Sequence, residues 1–198
     1  NFLDSVGDTL ESLVNRERLA VDRAGHRTWA RHFPMGIHAD EIAAMAESIE
    51  AREAEERIRK RLALDGCKVL LGVDRMDYTK GIPERLEALE RLFVKHPEWR
   101  GKLAFIQIAV PSRAEVPEYR EAQERVRAWV DRVNAQVERP GGPTVHFIEA
   151  HFDFRDLVPY YRMADLCAVT SLHDGMNMVA KEYVAATPDL DGTLVLSS

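Results

Sequence analysis

Two acidic residues near the end of the chain bracket a glycine turn. Asp174 is followed at once by Gly175, and Glu182 stands about two helical turns further on. The apolar, β-rich run Leu166-Cys167-Ala168-Val169-Thr170 leads into this stretch, and a helical pattern from Met176 to Ala186 leaves it. Strand, glycine-containing turn and helix form a layout that aims backbone N–H groups at an anion. The two carboxylates add acceptors for hydroxyl groups. Together they suit a ligand with a diphosphate and a sugar at each end.

Three other segments lie where apolar runs end. Asp74-Arg75-Met76-Asp77-Tyr78-Thr79-Lys80-Gly81 places two cations in one loop. Arginine offers phosphate oxygens a planar fork, and lysine offers a mobile point charge. The plainer reading is that Arg75 and Lys80 pair with Asp74 or Asp77. Arg113 follows Val110-Pro111-Ser112, where a surface salt bridge is the plainer reading. Phe152, in Ala150-His151-Phe152-Asp153-Phe154, has a ring that can stack on a base or pack in the core. His146, His151 and His173 lack ligand spacing and read as structural histidines. Asp174 or Asn177 can equally be an ordinary helix cap. In a parallel sheet, ligands bind outside the carboxyl ends of the strands. Three cations at strand exits and a helix start at a fourth therefore point to a phosphate-bearing ligand.

Several chemistries lose ground. No G-x-S-x-G, G-x-x-x-x-G-K-[ST] or G-x-G-x-x-G occurs, and no His/Cys/carboxylate cluster suggests a metal. A net charge of −6 argues against a general nucleic-acid surface. No apolar run approaches the roughly 18 residues of a membrane span, and Asn1 to Glu11 lacks signal-peptide features. Cys67 and Cys167 lie in or beside apolar runs and read as buried thiols, which fits the cytoplasm.

The elements that position these residues alternate. Lys68–Val73, Leu103–Ala109, Thr144–Ile148, Leu166–Thr170 and Thr193–Leu196 read as strands. Pro83–His96, Pro117–Glu138, Asp156–Met163 and Met176–Ala186 read as helices, the second with Val126, Trp129, Val130 and Val133 on its apolar face. Such alternation predicts an α/β fold, a parallel sheet with helices on both faces. Before it, Asn1 to Asn15 reads as a helix, and Arg18–Asp22 and His26–His32 as strands across an Ala24-Gly25 turn. Phe33 to Ile37 reads as a crossing segment, and one long helix capped by Asp40 runs to Leu64. With no initiating Met and a stop in a strand-like run, the 198 residues are expected to be a piece of a longer protein.

Val73-Asp74-Arg75-Met76-Asp77-Tyr78-Thr79-Lys80-Gly81, paired with Asp174-Gly175-Met176-Asn177-Met178-Val179-Ala180-Lys181-Glu182, resembles the retaining glycosyltransferases that make trehalose 6-phosphate. Pro111-Ser112-Arg113 and His151-Phe152-Asp153 fall in that family's order between the two motifs. The likeness covers nearly the whole chain, and Met76 and Met178, where leucine is usual, keep size and apolarity. It implies a GT-B fold of two Rossmann-like domains. Residues 1–37 would end the N-terminal acceptor domain, and 38–198 would form most of the C-terminal nucleotide-sugar domain.

By the same resemblance, Arg75 and Lys80 would hold the donor diphosphate, and Asp174 the glucose hydroxyls. N–H groups of Gly175, Met176, Asn177 and Met178 would meet sugar and phosphate. Glu182 would hold the ribose, Phe152 would lie at the base, and Arg113 would reach the phosphate of glucose 6-phosphate. The implied substrates are UDP- or GDP-glucose and glucose 6-phosphate, with no cofactor and no metal. A homo-oligomer is compatible with the sequence. The 198 residues alone are expected not to turn over. A glucosylglycerol-phosphate synthase, a non-catalytic sugar-phosphate sensor and a purely structural domain remain as rival readings.

Overall fold

A computed structural model describes residues 2–112, 117–187, 189 and 191–197. The chain divides between Gly36 and Ile37 into two compact units. In the first, α1 (Phe2–Thr9) precedes an antiparallel sheet of β1 (Leu13–Asn15), β2 (Ala20–Arg23) and β3 (His26–Trp29). The helix expected to reach Asn15 stops at Thr9, because Leu13, Val14 and Asn15 pair with Asp22, Val21 and Ala20. The expected turn forms, with Ala24 and Gly25 at φ of 49° and 79°.

The second unit opens with α2 (Ala39–Glu47) and α3 (Ile49–Arg61). These replace the single long helix read from the sequence. Ser48 takes an extended conformation between them, and its Oγ accepts from the Ala51 N–H at 3.1 Å. Asp40 lies in the first turn of α2 and is not its cap, which is His38. A serine that caps a new helix ends the old one, and side-chain periodicity alone does not register the break.

Five strands follow: β4 (Lys68–Arg75), β5 (Leu103–Val110), β6 (Val145–Glu149), β7 (Leu166–Val169) and β8 (Thr193–Leu196). Between them run α4 (Ile82–Lys95), α5 (Pro117–Gln136), α6 (Phe154–Met163) and α7 (Met178–Ala186). All pairs are parallel, in the order β6-β5-β4-β7-β8. Alternate strand residues face opposite layers. Val69, Leu71, Val73, Ala104, Ile106 and Ile108 share a core with α2, α3, α6 and α7. Leu103, Phe105, Ala109 and Val145 pack with α4 and α5, including Val126, Val130 and Val133. Burial on both faces explains why these strands read as continuous apolar runs.

The chain winds one way through β4, β5 and β6, then crosses back to β7 beside β4. The strand order reverses between β4 and β7, so their carboxyl ends flank the crevice where doubly wound sheets take ligands. Cys167 is buried as expected, whereas Cys67 is only half-buried. His146 is the structural histidine expected. Its Nε2 lies 3.1 Å from Arg139, and burial, then the Arg139 charge, lowers its pKa to about 4. His151 and His173 are exposed instead. Among the described residues no helix is long and apolar enough to cross a membrane.

Candidate functional site

The exits of β4 and β7 are stitched together. After β4, Asp77 accepts from the Thr79 N–H at 2.9 Å and from its hydroxyl at 2.8 Å, folding Tyr78–Lys80 into one tight turn. The Thr79 carbonyl then accepts from the backbone N–H groups of Leu172 (2.8 Å) and His173 (3.3 Å) in the β7 loop. Gly81 closes the turn at φ 63°, and a Cβ there would stand 2.6 Å from the Thr170 carbonyl oxygen. A left-handed conformation costs a side chain about 1–2 kcal/mol, to which the carbonyl clash adds. Gly81→Ala is thus expected to lower the unfolding midpoint of the full-length protein in a denaturant titration. Gly175→Ala, whose Cβ meets open space, is expected to leave it nearly unchanged.

Within this junction Lys80 Nζ lies 2.8 Å from Asp174 Oδ2. Asn177 Nδ2 donates to the same oxygen at 2.9 Å and Ser171 Oγ at 3.3 Å. The described bonds to Asp174 all fall on Oδ2, which leaves the lone pairs of Oδ1 for a ligand hydroxyl. Burial pushes the Asp174 carboxyl upward. Hydrogen bonds from Lys80 and Asn177, the Lys80 charge and the Ser171 hydroxyl outweigh it and hold the carboxyl below 3.8. A depressed native pKa stabilises the fold above the unfolded pKa, and that stabilisation is lost as pH falls through the native value. The stability gap between wild type and Asp174→Asn is therefore expected to be full above about pH 5 and to close below about pH 4. Unfolding midpoints across that range measure it.

Asn177, not Asp174, is the cap of α7, accepting from the Ala180 N–H at 3.2 Å. The helix therefore begins at Met178, two residues later than the sequence suggested. Gly175 and Met176 belong to the loop ahead of it, where their N–H groups are not committed to helix geometry. Arg75 ends β4 and is exposed, and its side chain makes no hydrogen bond or ion pair among the described residues. The plainer pairing with Asp74 or Asp77 does not form at Lys80, which reaches across to the other loop, whereas the Arg75 charge does act on Asp77 and helps hold its carboxyl down.

Asp74 has a different partner, which the sequence did not disclose. Arg85, on α4, donates from one terminal nitrogen to Asp74 Oδ2 and to Gln107 Oε1, both at 2.7 Å. Its Nε donates to Thr170 Oγ1 at 3.0 Å. Gln107 Nε2 donates to Asp74 Oδ2 at 3.1 Å. Gly72 leaves the room: a Cβ there would stand 2.5 Å from both Arg85 and Gln107. This network ties β4, β5, α4 and the β7 exit beneath the crevice. The available signal was Gln107, a lone amide inside the apolar run Leu103–Val110.

Glu182 lies in the second turn of α7, half-buried, and its Oε2 accepts from the Tyr161 hydroxyl at 2.8 Å. Phe152 is half-buried, with its ring edge-on to Tyr160 at 5.5 Å between centroids and packed on the core. The ring thus packs on the core and keeps part of its surface exposed. Arg113 lies outside the described residues. Among the described residues no group of three or more His, Cys, Asp or Glu side chains could hold a metal ion.

The model of glycosyltransferase family 20 matches residues 1–198. The chain belongs to glycosyltransferase family 20. It is 42% identical over 166 residues to the UDP-forming alpha,alpha-trehalose-phosphate synthase A of Dictyostelium discoideum, covering 83% of this chain and 22% of that protein. A solved UDP-forming synthase from Burkholderia xenovorans, in complex with glucose-6-phosphate, superposes with a TM-score of 0.90 at 32% identity. That match covers 98% of this chain and 43% of the other. An E. coli structure with UDP-2-fluoro glucose bound matches at a TM-score of 0.86 and 32% identity, again over 98% of this chain and 43% of that one. The family 20 chain thus spans less than half the length of these relatives. Its parallel sheet with helices on both faces is the GT-B-type, Rossmann-like fold class that the resemblance implied.

Proposed function

We propose that these residues carry the donor side of a retaining glucosyltransferase, which moves glucose from UDP-glucose to glucose 6-phosphate and forms trehalose 6-phosphate. The observation that carries the reading is the meeting of Lys80 and Asp174, 2.8 Å apart, at the switch point, with Arg75 at the end of β4. A cation and a hydroxyl acceptor stand side by side where a sugar diphosphate would join its two parts. UDP is favoured over GDP because similar synthases are named UDP-forming and one relative holds a UDP-sugar.

In the reaction, the bond from glucose C1 to the diphosphate oxygen breaks and a bond from C1 to the acceptor O1 forms on the same face. The acceptor hydroxyl proton passes to the departing phosphate oxygen. Arg75 and Lys80 meet the charge that gathers on the leaving diphosphate, an interaction stronger in the transition state than in the ground state. Asp174 Oδ1 takes a glucose hydroxyl and thereby holds C1 against the acceptor. The loop N–H groups of Gly175 and Met176, and those of Asn177 and Met178 at the start of α7, face sugar and phosphate. Glu182 takes the ribose, Phe152 lies at the base through its backbone or ring, and Arg113 takes the acceptor phosphate. No cofactor is required. Residues 1–37 would end the acceptor domain and 38–198 would form most of the donor domain.

The test supplies the full-length protein with UDP-glucose or GDP-glucose and follows release of nucleoside diphosphate. Release that requires glucose 6-phosphate supports the proposal. Release with glycerol 3-phosphate instead makes the protein a glucosylglycerol-phosphate synthase. Donor binding without release under either acceptor makes it a sensor.

A further inference from the structure

Tyr161 is fully buried in the core beneath α7, and its one polar atom reaches out to Glu182 on the neighbouring helix. A phenylalanine would fill the same space without needing a partner, so what the hydroxyl adds is the bond to Glu182 Oε2. Burial first, then the charge of Glu182, drives the phenol far above its ordinary pKa, so it remains a donor throughout the physiological range. A glutamate side chain has several rotatable bonds, and freezing them on binding weakens a ligand contact. Here one carboxylate oxygen is held in advance, as Lys80, Asn177 and Ser171 hold one oxygen of Asp174.

We propose that Tyr161 is a positioning residue: it pins Glu182 by Oε2 so that Oε1 is presented to the vicinal ribose diol of the nucleotide donor. It thereby sharpens the preference for a ribonucleotide over one lacking that diol. The inference rests on the reading of Glu182 as the ribose ligand. A residue that only supports the fold would act on every nucleotide alike. A residue that aims Glu182 acts only on a nucleotide with a diol to hold.

The experiment compares UDP with 2′,3′-dideoxy-UDP, titrated into the full-length wild type, Tyr161→Phe and Glu182→Ala. Tyr161→Phe is expected to weaken UDP about two- to tenfold, the effect of one side chain left to be ordered by its ligand, and to leave the dideoxy analogue unchanged. Glu182→Ala should remove most of the preference for UDP. Equal weakening of both probes by Tyr161→Phe overturns the inference, because the hydroxyl then supports the fold and not the diol contact. So does wild-type UDP affinity in Tyr161→Phe while Glu182→Ala loses the preference; the ribose reading survives both results. An unchanged preference in Glu182→Ala overturns the ribose reading and the inference with it.

Discussion

Alanine at both Arg75 and Lys80 is expected to abolish measurable glucosyl transfer, and each single substitution to lower kcat by about 10²–10³-fold, the usual cost of one donor to a developing oxyanion. The two losses should differ in kind. Arg75 is exposed and its side chain makes no ion pair or hydrogen bond among the described residues, so its removal subtracts charge, including its pull on Asp77, and leaves the junction's hydrogen bonds in place. Lys80 also clasps Asp174 at 2.8 Å. Its removal leaves Asp174 held by Asn177 and Ser171 alone, so the glucose loses a fixed acceptor as well as a cation. Arg75→Ala should therefore act mainly on kcat, and Lys80→Ala on kcat and donor KM together. Steady-state release of UDP by the full-length variants measures both. Activity within about tenfold of wild type in both single variants would remove these side chains from the leaving-group role, since that is well short of the expected loss.

The largest stability effect is expected beneath the site. Asp74 and Arg85 form an ion pair whose side chains are 2% and 4% exposed. Asp74→Asn keeps the shape but leaves a guanidinium in the interior without its countercharge, and breaking one partner of a buried pair costs about 3–5 kcal/mol. Surface pairs such as Arg91–Glu87 are in another class, worth about 0–1 kcal/mol. Arg85 also bonds Thr170 Oγ1, so disturbance should reach the β7 loop and lower transfer in the protein that remains folded. Denaturant unfolding of Asp74→Asn, Arg85→Gln and the double variant tests the pairing. The double variant should be less unstable than the sum of the singles, because it leaves no uncompensated charge. Additive effects, or a loss below about 1 kcal/mol in Asp74→Asn, would place the pair with the surface bridges.

Some of this was legible because local chemistry was enough. Residues 69–73 and 103–109 are buried on both faces, so their apolar runs announce parallel strands without any knowledge of their neighbours. Pro83 early in α4 and the Ala24-Gly25 turn carry their own backbone restrictions. Other elements misled for equally local reasons. Residues 39–61 keep a helical charge pattern through Ser48, although that serine ends one helix and caps the next. Leu13–Asn15 carries no strand signal of its own and is extended because β2 offers it a ladder. Asn177 and Asp174 are both good capping types, and type alone does not say which of them turns toward the helix.

Resemblance of its motifs pointed to a transferase family, and the sequence by itself determined the alternation of strands and helices and the placing of Arg75, Lys80 and Asp174 at strand exits. These follow from periodicity, turn residues and side-chain type, which act over a few residues at a time. Only the tertiary structure decided that β7 returns to lie beside β4. That return brings Lys80 to Asp174 across 94 positions of chain, seats Arg85 under both loops and sets Tyr161 against Glu182. The physical reason is burial. A polar side chain withdrawn from water must find its partner inside the fold, and which partner is in reach depends on which strands become neighbours.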